Sequence, residues 1–202
     1  MRLCYRGAMT RLFRNVMRAA ALAGVLALAA CGQKASWYGT GITGIMPPLA
    51  FAMTRASDGA PVSAQDFRGH EVLLYFGYTN CPDVCPTTLA NVAQALTKLG
   101  ARAKDVRVLF VTVDPKRDTL PVLKTYVKAF SPQMVGLRGD PDAIAKLARR
   151  YRVAYTVDPG PPYEVSHSSA VFFFDAEGHA RVVTLATDNT DALAGDMERL
   201  LP

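Results

Sequence analysis

A single α/β domain built on a mixed sheet is the fold class this sequence predicts, and three observations predict it. Half of its 202 residues are apolar, enough for one ordinary hydrophobic core. Two continuous apolar runs of buried-strand length, Val72–Phe76 and Val106–Val113, are each followed by a stretch whose apolar residues recur at helical spacing. Two later β-prone segments, Ala170–Asp175 and Arg181–Ala186, flank the turn sequence Ala176-Glu177-Gly178-His179 and read as an antiparallel hairpin.

The elements follow in order. Leu49–Thr54 alternates in the manner of an edge strand, and Asp58-Gly59 marks a turn. Val72–Phe76 is a central strand that ends near Gly77. Leu89, Val92, Ala93, Leu96 and Leu99 then trace one face of a helix, and Gly100 stands where that helix would stop. Val106–Val113 is the second buried strand, closed by Asp114-Pro115. Leu120, Leu123, Tyr126, Val127 and Phe130 form the next helical stripe, with Asp118 or Thr119 as its candidate cap. Val135–Leu137 is a short strand, Pro141 opens a helix through Arg150, and Val153–Val157 is extended before the break Pro159-Gly160-Pro161-Pro162. The hairpin and a last helix near Asp191–Leu201 complete the chain. This order is that of a thioredoxin-like fold: a central mixed sheet flanked by helices, a C-terminal β-hairpin and helix, and extra elements inserted before the hairpin. No repeat and no second domain is evident.

The formal net charge of +6 does not indicate a nucleic-acid surface. Arg2, Arg6, Arg11, Arg14 and Arg18 carry five of those charges with no acid among them, which makes them the basic start of a leader. An apolar stretch, Ala19–Ala30, and Cys31-Gly32 complete a secretory signal. Leu28-Ala29-Ala30-Cys31 matches the bacterial lipobox, in which the cysteine is acylated and becomes the first mature residue. The alternative, an uncleaved span, needs about 20 apolar residues, more than this run provides. Met9 could also be the start, since Met9 to Cys31 is a complete leader. The expected division is therefore residues 1–30 as a lipoprotein signal peptide, 31–46 as a membrane tether in which Trp37 packs locally, and 47–202 as the thioredoxin-like domain. The protein is expected to be exported, periplasm-facing and lipid-anchored at Cys31.

With Cys4 in the leader and Cys31 blocked by lipid, Cys81 and Cys85 are the thiols left to the domain. Two cysteines four apart are too local to staple a fold of this size, so the pair reads as chemistry. They lie in Tyr78-Thr79-Asn80-Cys81-Pro82-Asp83-Val84-Cys85-Pro86, where a strand hands over to a helix. One helical turn puts both sulfurs on one face, and the helix N-terminus favours thiolates, which serve equally as nucleophiles and as metal ligands. The flanking prolines, Asn80 and Asp83 suggest an exposed loop. Dithiol oxidoreductases use C-x-x-C, whereas C-x-x-x-C leaves room for a soft ion such as Cu(I).

His167 adds a third donor, in Tyr163-Glu164-Val165-Ser166-His167-Ser168-Ser169 just before the hairpin. In thioredoxin-like folds this loop faces the cysteine loop and usually carries a cis-proline, but this chain has Ser169 at that distance. Without the proline ring, ligation by Cys81, Cys85 and His167 becomes geometrically reasonable. His70 and His179 flank a strand and a turn and read as ordinary surface histidines. Lys146, Arg149, Arg150 and Arg152 form a basic strip that is either a solvated helix face or a steering surface for an acidic partner.

The segment Tyr78 to Pro86, the stretch Val113-Asp114-Pro115-Lys116-Arg117-Asp118-Thr119 and the pair His167-Ser168 together resemble the Sco/SenC family, over about Gly41 to Leu201. The resemblance implies a copper site made by Cys81, Cys85 and His167, with Asp114 behind it or facing a partner, and Arg117 and Asp118 ordering their loop. It also implies a metallochaperone that delivers copper to the copper-centre subunit of cytochrome c oxidase without turning over a small substrate. The alternative is a thiol-disulfide reductase acting on the cysteines of that copper centre, with Cys81 and Cys85 as the redox pair and Cys81 attacking. A peroxidase fits less well, because no Pro-x-x-x-Thr-x-x-Cys segment is present. One departure from the family pattern is Ser166, where an Asp commonly precedes the histidine; Glu164 is the candidate replacement for orienting the imidazole.

Overall fold

The two continuous apolar runs become neighbouring parallel strands at the centre of an eight-stranded sheet. The computed structural model describes residues 37–201. Its strands are β1 (Thr40–Gly41), β2 (Ala52–Arg55), β3 (Pro61–Ser63), β4 (Glu71–Gly77), β5 (Val106–Thr112), β6 (Met134–Arg138), β7 (Tyr155–Asp158), β8 (Glu164–His167), β9 (Val171–Phe174) and β10 (Ala180–Thr184). The α-helices are α1 (Val84–Leu99), α2 (Leu120–Lys128), α3 (Pro141–Arg150) and α4 (Thr190–Leu200). The large sheet runs β1-β10-β9-β4-β5-β6-β2-β3, with β7 and β8 paired apart from it. None of the described helices is long and apolar enough to cross a membrane.

Strands β4, β5 and β6 are parallel, and β9 joins the other side of β4 antiparallel, so the sheet is mixed as expected. Every β4 residue is buried, which explains why its sequence is a solid apolar run rather than an alternation. Helix α1 buries Cys85, Leu89, Val92 and Leu96 along one stripe and packs against α4. Helix α2 packs on β6, with Leu123 fully buried. Each such apolar side chain contributes about 1.5–3 kcal/mol on burial.

Gly77 ties this core to the cysteines. A Cβ there would lie 2.7 Å from the Cys85 sulfur and 2.7 Å from the Phe110 ring, so only glycine lets the helix start this close to the strand end.

Three expectations change. The segment read as an edge strand is β2, which lies between β6 and β3. The edge is β3, whose first residue, Pro61, has no N–H to offer a further strand. Of the expected tether, residues 37–46 pack onto the domain: β1 adds to β10, Ile42 is buried, and the amides of Tyr38 and Gly39 bond to Asp196 at 3.0 and 2.9 Å. Trp37 does pack locally, against the core. The loop expected to carry His167 is a strand, β8, antiparallel to β7, with Tyr155 opposite His167. The expected signal peptide at 1–30 and the expected lipidation site at Cys31 lie outside the described residues.

Candidate metal centre

The cysteine loop leaves the end of β4 and is pinned from beneath by Asp118. This fully buried carboxylate accepts from the Thr79 amide at 3.0 Å, the Thr79 hydroxyl at 2.6 Å and the Thr112 hydroxyl at 2.6 Å. Asp118 thus ties the loop before α1 to the end of β5. It does not cap α2; Thr119 occupies that position without a side-chain bond.

Within the loop the two thiols differ. Cys81 is the more accessible at 9% exposure, and Cys85 is fully buried, so the expected exposed pair is in fact recessed into the core. Burial works against ionisation at Cys81, but the amides of Asp83 and Cys85 outweigh it and hold this thiol below its ordinary value. The Cys85 amide donates to the Cys81 sulfur at 3.4 Å. Burial pushes the Cys85 thiol up to about 12, with the neighbouring Cys81 adding to the rise. The helix N-terminus therefore favours a thiolate at Cys81 only.

His167 closes the site from β8. Its Nε2 lies 3.1 Å from the Cys85 sulfur, and its Nδ1 lies 3.0 Å from the Ser168 carbonyl. A carbonyl can only accept, so Nδ1 carries the proton and Nε2 turns its lone pair to the cysteines. The Cys85 thiol is then the donor to Nε2. Burial lowers the His167 pKa, which the Ser168 carbonyl partly opposes, and keeps the ring neutral. Neither Ser166 nor Glu164 orients the imidazole, since both are exposed and pair across to β7. The backbone supplies the acceptor instead. The rings of Tyr75 and Tyr78 meet the imidazole edge-on at 6.0 and 5.7 Å.

One sulfur from each cysteine and one nitrogen of His167 lie within 4.8 Å of one another. A soft ion bound at about 2.3 Å from sulfur and about 2.0 Å from nitrogen separates its ligands by roughly 3.5–4 Å, so the donors present fit such an ion. Asp114 bonds to none of the three. Its buried carboxylate takes Arg117 as a salt-bridge partner and the Tyr163 hydroxyl at 2.8 Å.

The remaining polar groups singled out in the sequence stand apart from this arrangement. His70 has its Nδ1 buried without a partner, and His179 closes the β9–β10 turn, its amide bonded to Asp175 at 2.8 Å. Lys146, Arg149, Arg150 and Arg152 are all exposed, and Arg150 holds the Pro48 carbonyl at 2.9 Å.

Fold and site together define a thioredoxin-like protein with two thiols and an imidazole converging at the end of the central strand. The SCO1/SenC family profile matches residues 50–202, and the chain belongs to that family. It is similar to Bradyrhizobium japonicum ScoI, solved with copper bound: 34% identity, 76% of this chain and 99% of that one, TM-score 0.69. It is also similar to BsSco, described as a member of the Sco family of cytochrome c oxidase assembly proteins with a disulfide switch, at 25% identity over 78% of this chain and 98% of that one, TM-score 0.61. The mitochondrial SCO2 homolog of Bos taurus is 43% identical over 118 residues, which is 56% of this chain and 44% of that protein. The match spans 39–61% of the length of the curated relatives.

Proposed function

We propose that this protein is a metallochaperone that binds copper through Cys81, Cys85 and His167 and delivers it to the copper-centre subunit of cytochrome c oxidase. It works on the periplasmic side of a membrane, to which a lipid on Cys31 anchors it. One observation carries the reading: two sulfurs from the cysteine loop and an imidazole nitrogen from β8, 82 residues further along the chain than Cys85, lie within 4.8 Å of one another. Copper bound to the similar ScoI and the part of BsSco's family in oxidase assembly support the choice of cargo and destination.

The residues divide the work. Cys81, more accessible and already biased to the thiolate, meets copper first. Cys85 must give up its proton to join, so affinity rises with pH. His167 needs no deprotonation at Nε2. Transfer to an acceptor site runs through shared thiolate ligation on the Cys81 side. Copper titration of the reduced protein, wild type against His167→Ala, tests the assignment.

The difference between the thiols also favours a second activity. A low-pKa, accessible Cys81 beside a high-pKa, buried Cys85 is the arrangement of an attacking and a resolving thiol, which would reduce a disulfide in the same partner. That activity would be lost with either cysteine and largely indifferent to His167, whereas copper binding depends on all three.

A further inference from the structure

The strand that carries His167 is not a member of the main sheet. Strands β7 and β8 pair only with each other, so ladder hydrogen bonds to the central strands do not hold the histidine against the cysteines. Beyond the Cys85–His167 contact itself, two side-chain attachments do. The Tyr78 hydroxyl, from the cysteine loop, donates to the Val165 carbonyl at 3.2 Å. Tyr163, just before β8, donates its hydroxyl to Asp114 at 2.8 Å, across 49 residues of sequence.

The second attachment is braced. Asp114 is 1% exposed and also pairs with Arg117. The Arg117 guanidinium lies 4.1 Å from the centre of the Tyr163 ring and 5.7 Å from that of Tyr78, so one cation spans both tyrosines. Asp114 and Arg117 belong to the loop after β5, which Asp118 already joins to the cysteine loop. The hairpin and the cysteine loop are therefore fastened to the same short segment.

We propose that Tyr163, latched to Asp114 and Arg117, is the positioning residue that seats His167 against Cys85, and that releasing this latch turns a three-donor copper site into a two-cysteine one. This rests on His167 being the third ligand. The latch is a hydrogen bond to an ionised acceptor plus ring stacking, strong enough to hold the hairpin and weak enough to open.

The test uses Tyr163→Phe in the full chain, which removes the hydroxyl and keeps the ring under Arg117. In the reduced, metal-free protein the amides of 155–158 and 164–167 should exchange with deuterium roughly tenfold faster, with those of β9 and β10 unchanged. Copper affinity should fall about three- to tenfold, and Tyr163→Phe should cost nothing further in a His167→Ala background. Arg117→Met, which keeps the stem and removes the cation, should loosen the same amides. Unchanged hairpin exchange in both variants overturns the latch, as does an affinity loss that persists without His167. If His167→Ala alone leaves copper affinity intact, it is the ligand assignment that fails, an outcome separate from a silent Tyr163→Phe.

Discussion

Asp118→Ala is the change that should reveal how the cysteine loop is held. The wild-type carboxylate takes three hydrogen bonds, two from Thr79 and one from Thr112, while itself fully buried. A single bond to a charged acceptor contributes about 1.5–3 kcal/mol, and deletion leaves its donors unpaired. Water can reach the half-buried Thr79 donors but not the Thr112 hydroxyl, so the three losses fall short of their sum. We expect about 3–4 kcal/mol of destabilisation, a large part of the roughly 5–15 kcal/mol typical of a domain. Equilibrium denaturation of the reduced protein measures the loss, and amide hydrogen exchange over residues 78–81 locates it. A loss below about 1 kcal/mol, or exchange in that loop unchanged, would refute the role given to Asp118.

Two further changes probe the frame around the site. Gly77→Ala places a methyl 2.7 Å from the Cys85 sulfur and the Phe110 ring, so α1 must shift; copper affinity should drop at least tenfold and stability by about 1–3 kcal/mol, with retention of both counting against the close-approach argument. Glu71 is fully buried with neither carboxylate oxygen bonded, and burial raises its pKa well above 4.5. The folded chain then holds a proton that the unfolded chain loses, so Glu71 lowers stability progressively as pH rises from about 4.5 toward the higher folded value. Glu71→Leu should therefore stabilise the protein by about 1–3 kcal/mol at neutral pH and by less near pH 4.5, and a gain independent of pH would contradict the assignment.

The parts of the fold legible in the sequence are those whose burial pattern is local. Strands β4 and β5 announce themselves as solid apolar runs because both faces are covered, and α1 shows its stripe from Leu89 to Leu96. Strand β1 is two residues, Thr40 and Gly41, and β8 is Glu164-Val165-Ser166-His167; neither has the apolar density that marks a strand, since β1 owes its conformation to β10 far along the chain and β8 to its pairing with the neighbouring, largely exposed β7.

The candidate site divides the same way. Residue type and position disclose Cys81, Cys85 and His167. Burial of Cys85 is hidden by the polar and proline neighbours that suggest an exposed loop. The Ser168 carbonyl that orients the imidazole has no sequence signature, because every residue carries a carbonyl. Asp118 looks like a helix cap until Thr79 is seen to fold back onto it, and Tyr163 has no visible partner until the chain brings Asp114 beside its hydroxyl.

Copper binding by Cys81, Cys85 and His167 is tested by copper titration of the reduced protein, wild type and His167→Ala, followed by stoichiometry and by the thiolate-to-Cu(II) absorption. Wild type should bind one copper per chain, and His167→Ala should show at least a tenfold loss of affinity with a shifted absorption band. Unchanged affinity and an unchanged band in His167→Ala would contradict the three-ligand site.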